Sequence, residues 1–443
     1  MKLELIVPAT KENLKRRRKV LIPPLGMATV AALTPPEVDV SLTDENITTV
    51  DFEKEVDLVG ITALTHTVHR AYQIADSFRT RGVKVVMGGI HPSVMPEEAS
   101  QHADAIVVGE AEGIWGDVIE DFKTNKLRRI YRQNRHPSLV GLPIPRRDLY
   151  AKGAYYFRNT LWATRGCPYS CSFCSVSTIF GRKHRCRPVD EITKELETFD
   201  RSKVIGFIDD NIIGNPRFAK KLFCALIPYK IKWIAQCSVA LASDDELLKL
   251  AADSGCIDLL IGFESLSQAN LTAVGKKINA VDEYEDVIRK VHAHGIAIHG
   301  FFIFGLDEDD VDIFERTLHF AQKMRLESAQ FAWPVPYPGT ALTESMDKAG
   351  RIVTKDWSQY EDTLVLEPKK MSRETLQQKR DWVWREFYTL PSILRRLGFR
   401  RRFLVPLWVL NLYYRSFWRR KYREEKHPRA SSAIAPQLRS KTP

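Results

Sequence analysis

Residues 164–175 read TRGCPYSCSFCS and place three cysteines, Cys167, Cys171 and Cys174, in a C-x3-C-x2-C spacing. All seven cysteines of the 443-residue chain lie at or after Cys167, so the preceding 166 residues can form neither a disulfide nor a thiolate site. Thiolates at this density hold zinc or an iron–sulfur cluster. A structural zinc ion needs four ligands, commonly in paired C-x2-C knuckles, and here Cys186 or His184 could supply a fourth. Three cysteines on one short loop can instead wrap three corners of a [4Fe–4S] cube and leave one iron open. The spacing leaves both readings standing.

The flanks place this loop in a fold. From residue 161 onward, LWATR, KVIGFIDDN, KWIAQCS, CIDLLIGFES, IAIHGFFIFG and SAQFAWPVP read as six strands. Helical patterns lie between them, among them SDDELLKLAADSG with Ser243 as N-cap and Gly255 as stop. Right-handed crossovers would curl such a set into a partial (β/α)6, TIM-like barrel with its chemistry on the carboxyl rim of the strands.

Upstream, LELIVP, DLVGIT, VKVVMGG and ADAIVVGE are continuous apolar strands, separated by helices such as GMATVAAL and HRAYQIADSFRTRG. Strands buried on both faces predict a parallel, doubly wound, Rossmann-like sheet. Ligands in that architecture sit beyond the strand ends. This makes Thr62, Leu64, Gly88, Gly89, His91, Gly109 and Glu110 the candidate contacts. The expected organisation is an α/β chain with a Rossmann-like domain over 1–135, a linker over 136–158, a barrel over 159–370 and a helical, basic extension over 371–443.

The formal net charge of +11 is concentrated at the end. Residues 391–443 carry fourteen Lys/Arg against two Asp/Glu, leaving the remainder at −1. Charge so placed does not predict a nucleic-acid partner, which would spread it around the active-site mouth. The opening MKLELIVPATKENLKRRRK has its apolar stretch before its charges, the reverse of a secretory leader, so a cytoplasmic chain with reduced thiols is expected. Phe403 to Trp418 is aromatic-rich, bracketed by arginines and shorter than a bilayer span. Such a stretch suits an anionic membrane surface met through residues 391–425. Equally, Trp382, Trp384 and Trp408 could cap the open barrel as ordinary core. The final fifteen or so residues read as disordered.

C-x3-C-x2-C with Phe173 before the last cysteine resembles the signature of the radical S-adenosylmethionine (SAM) superfamily, and four later landmarks fall in the matching order. Ile208-Asp209-Asp210-Asn211 stands where the family's backbone receives the SAM amino group. Glu264 and Ser265 of IGFES match the ribose-contacting region. Phe304-Gly305-Leu306 matches the backbone that supports adenine, and Pro338-Gly339-Thr340 follows the sixth strand. The resemblance implies that Cys167, Cys171 and Cys174 hold a [4Fe–4S] cluster whose open iron binds SAM. It implies reductive SAM cleavage to a 5′-deoxyadenosyl radical, with the electron coming from a donor such as ferredoxin or flavodoxin. On this reading Cys186 is a bystander.

The first domain resembles the cobalamin-binding domain that precedes many such barrels, although the D-x-H-x-x-G string with its cobalt-binding histidine is absent. That subgroup implies cobalamin and C-methylation, or else oxidative cyclisation or another bond-forming step; the arginine-bracketed aromatic tail is what points to a hydrophobic substrate such as a lipid, isoprenoid or tetrapyrrole. Methylthiotransferases share the barrel but need three further cysteines in the first domain. A non-catalytic cofactor-binding protein is opposed by the intact landmark series.

Overall fold

The structure, a computed structural model, describes residues 1–15, 22–360, 363–398 and 404–426. Two parallel six-stranded sheets follow one another along the chain. The first contains β1 (Lys2–Val7), β2 (Asp39–Asp44), β3 (Leu58–Thr62), β4 (Lys84–Gly88), β5 (Ala105–Val108) and β6 (Ile130–Arg132), in the order β2-β1-β3-β4-β5-β6. The expected Rossmann-like sheet is there, with an additional strand at each edge. β2 reads DVSLTD and β6 only IYR, so neither has the apolar run of a central strand. The strand order reverses direction between β1 and β3, which is where such sheets bind ligands.

The barrel sheet contains β7 (Thr160–Leu161), then β10 (Ile205–Phe207), β11 (Trp233–Cys237), β12 (Cys256–Glu264), β13 (Ala297–Ile303) and β14 (Ser328–Ala332), in the order β14-β13-β12-β11-β10-β7. Between β7 and β10 lies a small antiparallel pair, β8 (Thr164–Arg165) with β9 (Arg185–Cys186). The single strand read at LWATR is therefore two: β7 in the barrel and β8 in this hairpin, whose loop carries the three cysteines.

Alternate residues of β12, β13 and β14 face the outer helices. Phe263, Phe302 and Phe331 stack there with centroids 5.6 and 5.7 Å apart. Burying each ring contributes roughly 1.5–3 kcal/mol, which fixes the strand register because a one-residue slip would turn all three inward.

β7 and β14 do not pair, so the barrel is open, and the C-terminal helices close its exposed edge. Trp384 Nε1 donates to the Phe331 carbonyl at 2.7 Å and Tyr388 Oη to the Ala329 carbonyl at 2.7 Å. Arg396 donates to the Leu326 and Glu327 carbonyls at 2.8 and 2.9 Å. These bonds satisfy edge groups that would otherwise template another chain. The barrel-capping reading of Trp384 is thus realised. Helix Leu404–Lys426 follows, and residues 399–403 and 427–443, including the end expected to be disordered, lie outside the described residues. Trp357, Tyr360 and Val365 turn back from the barrel and enter the core of the first domain beside Val59 and Ile61.

Candidate active site

The cysteine loop leaves β8 of the hairpin on a constrained turn. Gly166 has φ +82°, and a Cβ there would meet the Lys183 carbonyl at 2.8 Å and the Gly181 carbonyl at 3.0 Å. Only glycine adopts this conformation at no steric cost. Two latches hold the loop from the far side: Ser172 N donates to the Val274 carbonyl and Leu342 N to the Ser172 carbonyl, both at 2.9 Å.

Cys167, Cys171 and Cys174 are half-buried and free, and Phe173 stands half-buried between the last two. Burial pushes the Cys167 and Cys171 thiols up and the Cys174 thiol to about 11, with neighbouring thiols adding to the rise at Cys171 and Cys174. Among the described residues no three His, Cys, Asp or Glu side chains converge as a single ion requires. Three thiolates on one short loop suit three corners of an iron–sulfur cube and fall one short of the four ligands of a structural zinc ion. Cys186 lies on β9 with its Sγ 3.7 Å from His184 Nδ1, and His184 Nε2 faces the Asn211 carbonyl at 3.0 Å. Both belong to the hairpin's wall.

The other landmarks converge on this rim, but several side chains are committed to the protein. Asp209 is buried and accepts from Ala163 N, Thr164 N and Thr164 Oγ1, the last two at 2.5 Å, so it fixes the β7–β8 junction. Burial lifts its carboxyl to about 7 against these bonds. Asp210, lifted to about 6 by burial, is hydrogen-bonded by the Gly166 backbone. Asn211 accepts from Ser238 N at 3.2 Å, and its buried Nδ2 has no oxygen or nitrogen partner but lies beside Cys167.

Glu264 adopts φ +64°, rare for a residue with a side chain, and pairs with Lys276 Nζ at 2.7 Å. Such strain gathers at functional sites. Ser265 Oγ accepts from Ser267 N at 3.1 Å and caps a turn, while Phe304 is core, its ring stacked on Phe331 at 5.9 Å. At Ser265 and Phe304, therefore, only the backbone remains for a ligand; Gly305, at φ +93°, leaves no room for a side chain against Leu376.

Lys276 was not visible in the sequence as a site residue. Burial alone would lower its ammonium pKa, yet Glu264 and the Cys171 thiol outweigh that and hold it above its ordinary value. A lysine in KKIN between two helices carries no signal of its own; its placement depends on Gly275, which turns at φ +73° against the Ser170 carbonyl.

The second half of the site is a cavity of about 320 Å3 beyond β1, β3, β4 and β5, closed from above by Trp162, Arg165, Ile179 and Phe180 of the barrel. Thr62, Leu64, Gly88, Gly89, Gly109 and Glu110 line it as expected. The remaining lining is mostly aliphatic, including Leu5, Met27, Val30 and Val86. At Gly109 (φ +87°) a Cβ would project into open space, so backbone there is exposed to an occupant. A wide, apolar, glycine-floored slot fits a flat macrocycle approaching the strand ends.

His91, expected among the contacts, is a correction. It is fully buried, with Nε2 3.3 Å from Glu98 Oε1, Nδ1 3.4 Å from Thr65 Oγ1 and its ring edge-on to Trp357 at 5.3 Å. The turn after Gly89 points it away from the cavity, and it anchors the returning 350s segment. Among the described residues no histidine lines the cavity, in keeping with the missing D-x-H-x-x-G string.

A cysteine loop on an open barrel, facing a Rossmann-type cavity across one wall, defines a radical SAM enzyme with a second, macrocyclic cofactor. Family models agree: residues 163–321 match the radical SAM superfamily and residues 14–119 the B12-binding domain. The bacteriochlorophyllide d C-12(1)-methyltransferase of Chlorobaculum tepidum is 31% identical over 430 residues, covering 94% of this chain and 93% of the relative. The same organism's bacteriochlorophyllide d C-8(2)-methyltransferase is 30% identical, covering 86% and 89%. The solved radical SAM methyltransferase TsrM of Kitasatospora setae, with cobalamin and a [4Fe–4S] cluster bound, shares the fold at TM-score 0.69 and 16% identity, covering 95% of this chain and 99% of that one. The chain belongs to the cobalamin-dependent radical SAM family of methyltransferases and cyclases, whose cofactors are a [4Fe–4S] cluster, SAM and cobalamin.

Proposed function

We propose that this enzyme methylates an unactivated carbon of a large hydrophobic substrate of the tetrapyrrole type. The observation that carries the reading is the shared wall: Trp162 and Arg165 line the cobalamin cavity, and two residues further on the chain becomes the cluster loop. The reading is supported by full-length similarity to two enzymes named for bacteriochlorophyllide d.

When bound, the cluster and SAM supply a radical and cobalamin supplies a transferable methyl group. The protein positions and seals. Gly166 and the two latches set the cysteine loop, the Asp210 and Asn211 segment and the Gly305 backbone offer polar contacts to SAM, and Lys276 offsets negative charge at the thiolates. The domains would divide near 135, 158 and 370, and the electron would come from a small donor of the ferredoxin or flavodoxin type.

The test is anaerobic turnover of bacteriochlorophyllide d with methyl-labelled SAM, hydroxocobalamin and a chemical reductant. Label in the tetrapyrrole supports the reading. Oxidation without label of magnesium-protoporphyrin IX monomethyl ester, offered in a parallel assay, favours the cyclase reaction, and a result that leaves both tetrapyrroles unchanged overturns the substrate class.

We further propose that the enzyme works at an anionic membrane surface. Helix Leu404–Lys426 packs Leu407, Asn411 and Trp418 inward, while Val405 and Val409 on its outer face are 73% and 62% exposed. Arg415, Arg419 and Arg420 border a groove at the end of that face. No helix among the described residues is long and apolar enough to cross a membrane, so the geometry suits lying in the interface. The enzyme should float with vesicles containing phosphatidylglycerol, and Val405→Asp/Val409→Asp should stay at the bottom of the gradient. Equal flotation of both, or of neither, overturns the idea.

A further inference from the structure

Between the two cofactor regions lies a group of buried charges, three of which, Glu110, Glu112 and Arg165, also line the cavity. Glu110 and Glu112 follow β5 in the first domain; Arg165 and Arg185 face each other across β8 and β9. Arg165 Nη1 donates to Glu110 Oε2 at 2.7 Å, and its Nη2 stands 2.6 Å from Glu112 Oε1. Arg185 Nη2 stands 2.6 Å from Glu110 Oε1. All four side chains are 8% exposed or less. The Arg165 guanidinium also lies over the Trp162 ring at 4.5 Å.

Buried ion pairs of this kind are weak sources of stability, because desolvation offsets most of the attraction. Their better-attested use is to enforce one geometry over others, and a planar guanidinium between two carboxylates is well suited to it. The placement is what gives this group a task. Arg165 is joined through Gly166 to Cys167, while its charged end is gripped by the domain that forms the cobalamin cavity. One residue thus belongs to both halves of the site, and a shift of the cavity must move the cysteine loop or break a buried pair.

We propose that Arg165, clamped by Glu110 and Glu112 and backed by Arg185, is a positioning residue that registers the cobalamin cavity against the cluster loop. It acts through the hairpin's placement and takes no part in bond making. The inference rests on cobalamin occupying the cavity, and the test separates the two claims.

Full-length holoenzyme is prepared with hydroxocobalamin and a reconstituted cluster. The distance distribution between cob(II)alamin and the reduced cluster is then measured by pulsed electron paramagnetic resonance. Wild type should give one narrow distribution. Glu112→Gln, which leaves Arg165 paired with Glu110, should broaden it while iron content stays at the wild-type level. Arg165→Met should broaden it further and weaken hydroxocobalamin binding by about tenfold or more, whereas Arg165→Lys, which keeps the charge but lacks the fork that bridges both carboxylates, should broaden it less. If Arg165→Met does not fold, Glu112→Gln decides alone. Wild-type protein that binds no hydroxocobalamin would sink the cavity's assignment. Wild-type widths and affinity in every variant that folds would overturn the registering role itself.

Discussion

The two sheets of this molecule solve the same problem in opposite ways. Each gathers its candidate cofactor contacts at the carboxyl ends of six parallel strands. The first does so with absence: glycines at positions 88, 89 and 109 and an aliphatic lining leave a slot shaped by missing side chains. The barrel does so with commitment: Asp209, Glu264, Lys276 and Arg165 are ionisable groups in or near complete burial, each tied to a partner around one short loop. A macrocycle brings its own large apolar area and needs room. A cluster held by three thiolates needs its ligands fixed, and charged groups in low dielectric fix geometry at high cost for error. The barrel site should therefore fail abruptly under substitution and the cavity gradually.

Cys174→Ala gives the largest expected effect. It should remove SAM cleavage altogether and bleach the cluster's visible absorption, while thermal unfolding of the first domain stays put. Residual cleavage near the wild-type rate would contradict the ligand assignment.

Gly166→Ala should come next. Its positive φ and the carbonyls within 3.1 Å imply about 1–3 kcal/mol of strain. Iron content per chain after reconstitution should fall severalfold, with far-ultraviolet circular dichroism unchanged. Gly109→Ala shares the cost of a positive φ but meets no neighbouring atom, and its methyl enters the cavity, so it should weaken hydroxocobalamin binding without touching iron.

The smallest effect lies in the anchor that holds His91 out of the cavity. Burial alone would raise the Glu98 carboxyl, but hydrogen bonds from His91, Trp357 and Tyr72 outweigh it and bring it down to about 2. A depressed carboxyl contributes stability above its unfolded value near 4.5 and loses it as pH falls towards 2. With Glu98 partly exposed, roughly 2 kcal/mol is at stake. Glu98→Gln should lower Tm by several degrees at pH 7, and the gap to wild type should close between pH 4.5 and pH 2. A gap that persists unchanged at low pH would show that packing, and not the charge, holds the segment.

The contrast also explains what could be read in advance. Three closely spaced cysteines announce themselves, and continuous apolar runs announced every central strand of both sheets. The edge strands of the first sheet did not: DVSLTD and IYR are half-solvated and look like loops. Neither did the hairpin, because two-residue strands leave no periodicity. Asp209 and Ser265 were found for the right region, but their side chains hold the protein's own backbone, a distinction made by hydrogen bonds across 45 residues in one case and two in the other. His91 was placed at a strand end correctly and pointed wrongly, since the turn after Gly89 decides its direction. Lys276, Glu112 and Arg185 matter only through partners far along the chain, and Trp357 is buried against residues of a different domain.

The central claim is that one chain brings a three-cysteine cluster and a cobalamin together across the Arg165 wall. The most direct test is the metal and cofactor content of protein purified without oxygen. The account predicts iron and sulfide in the proportions of one [4Fe–4S] cluster per chain together with stoichiometric cobalamin. Zinc at Cys167, Cys171 and Cys174, or a full cluster in protein that takes up no cobalamin, would contradict it.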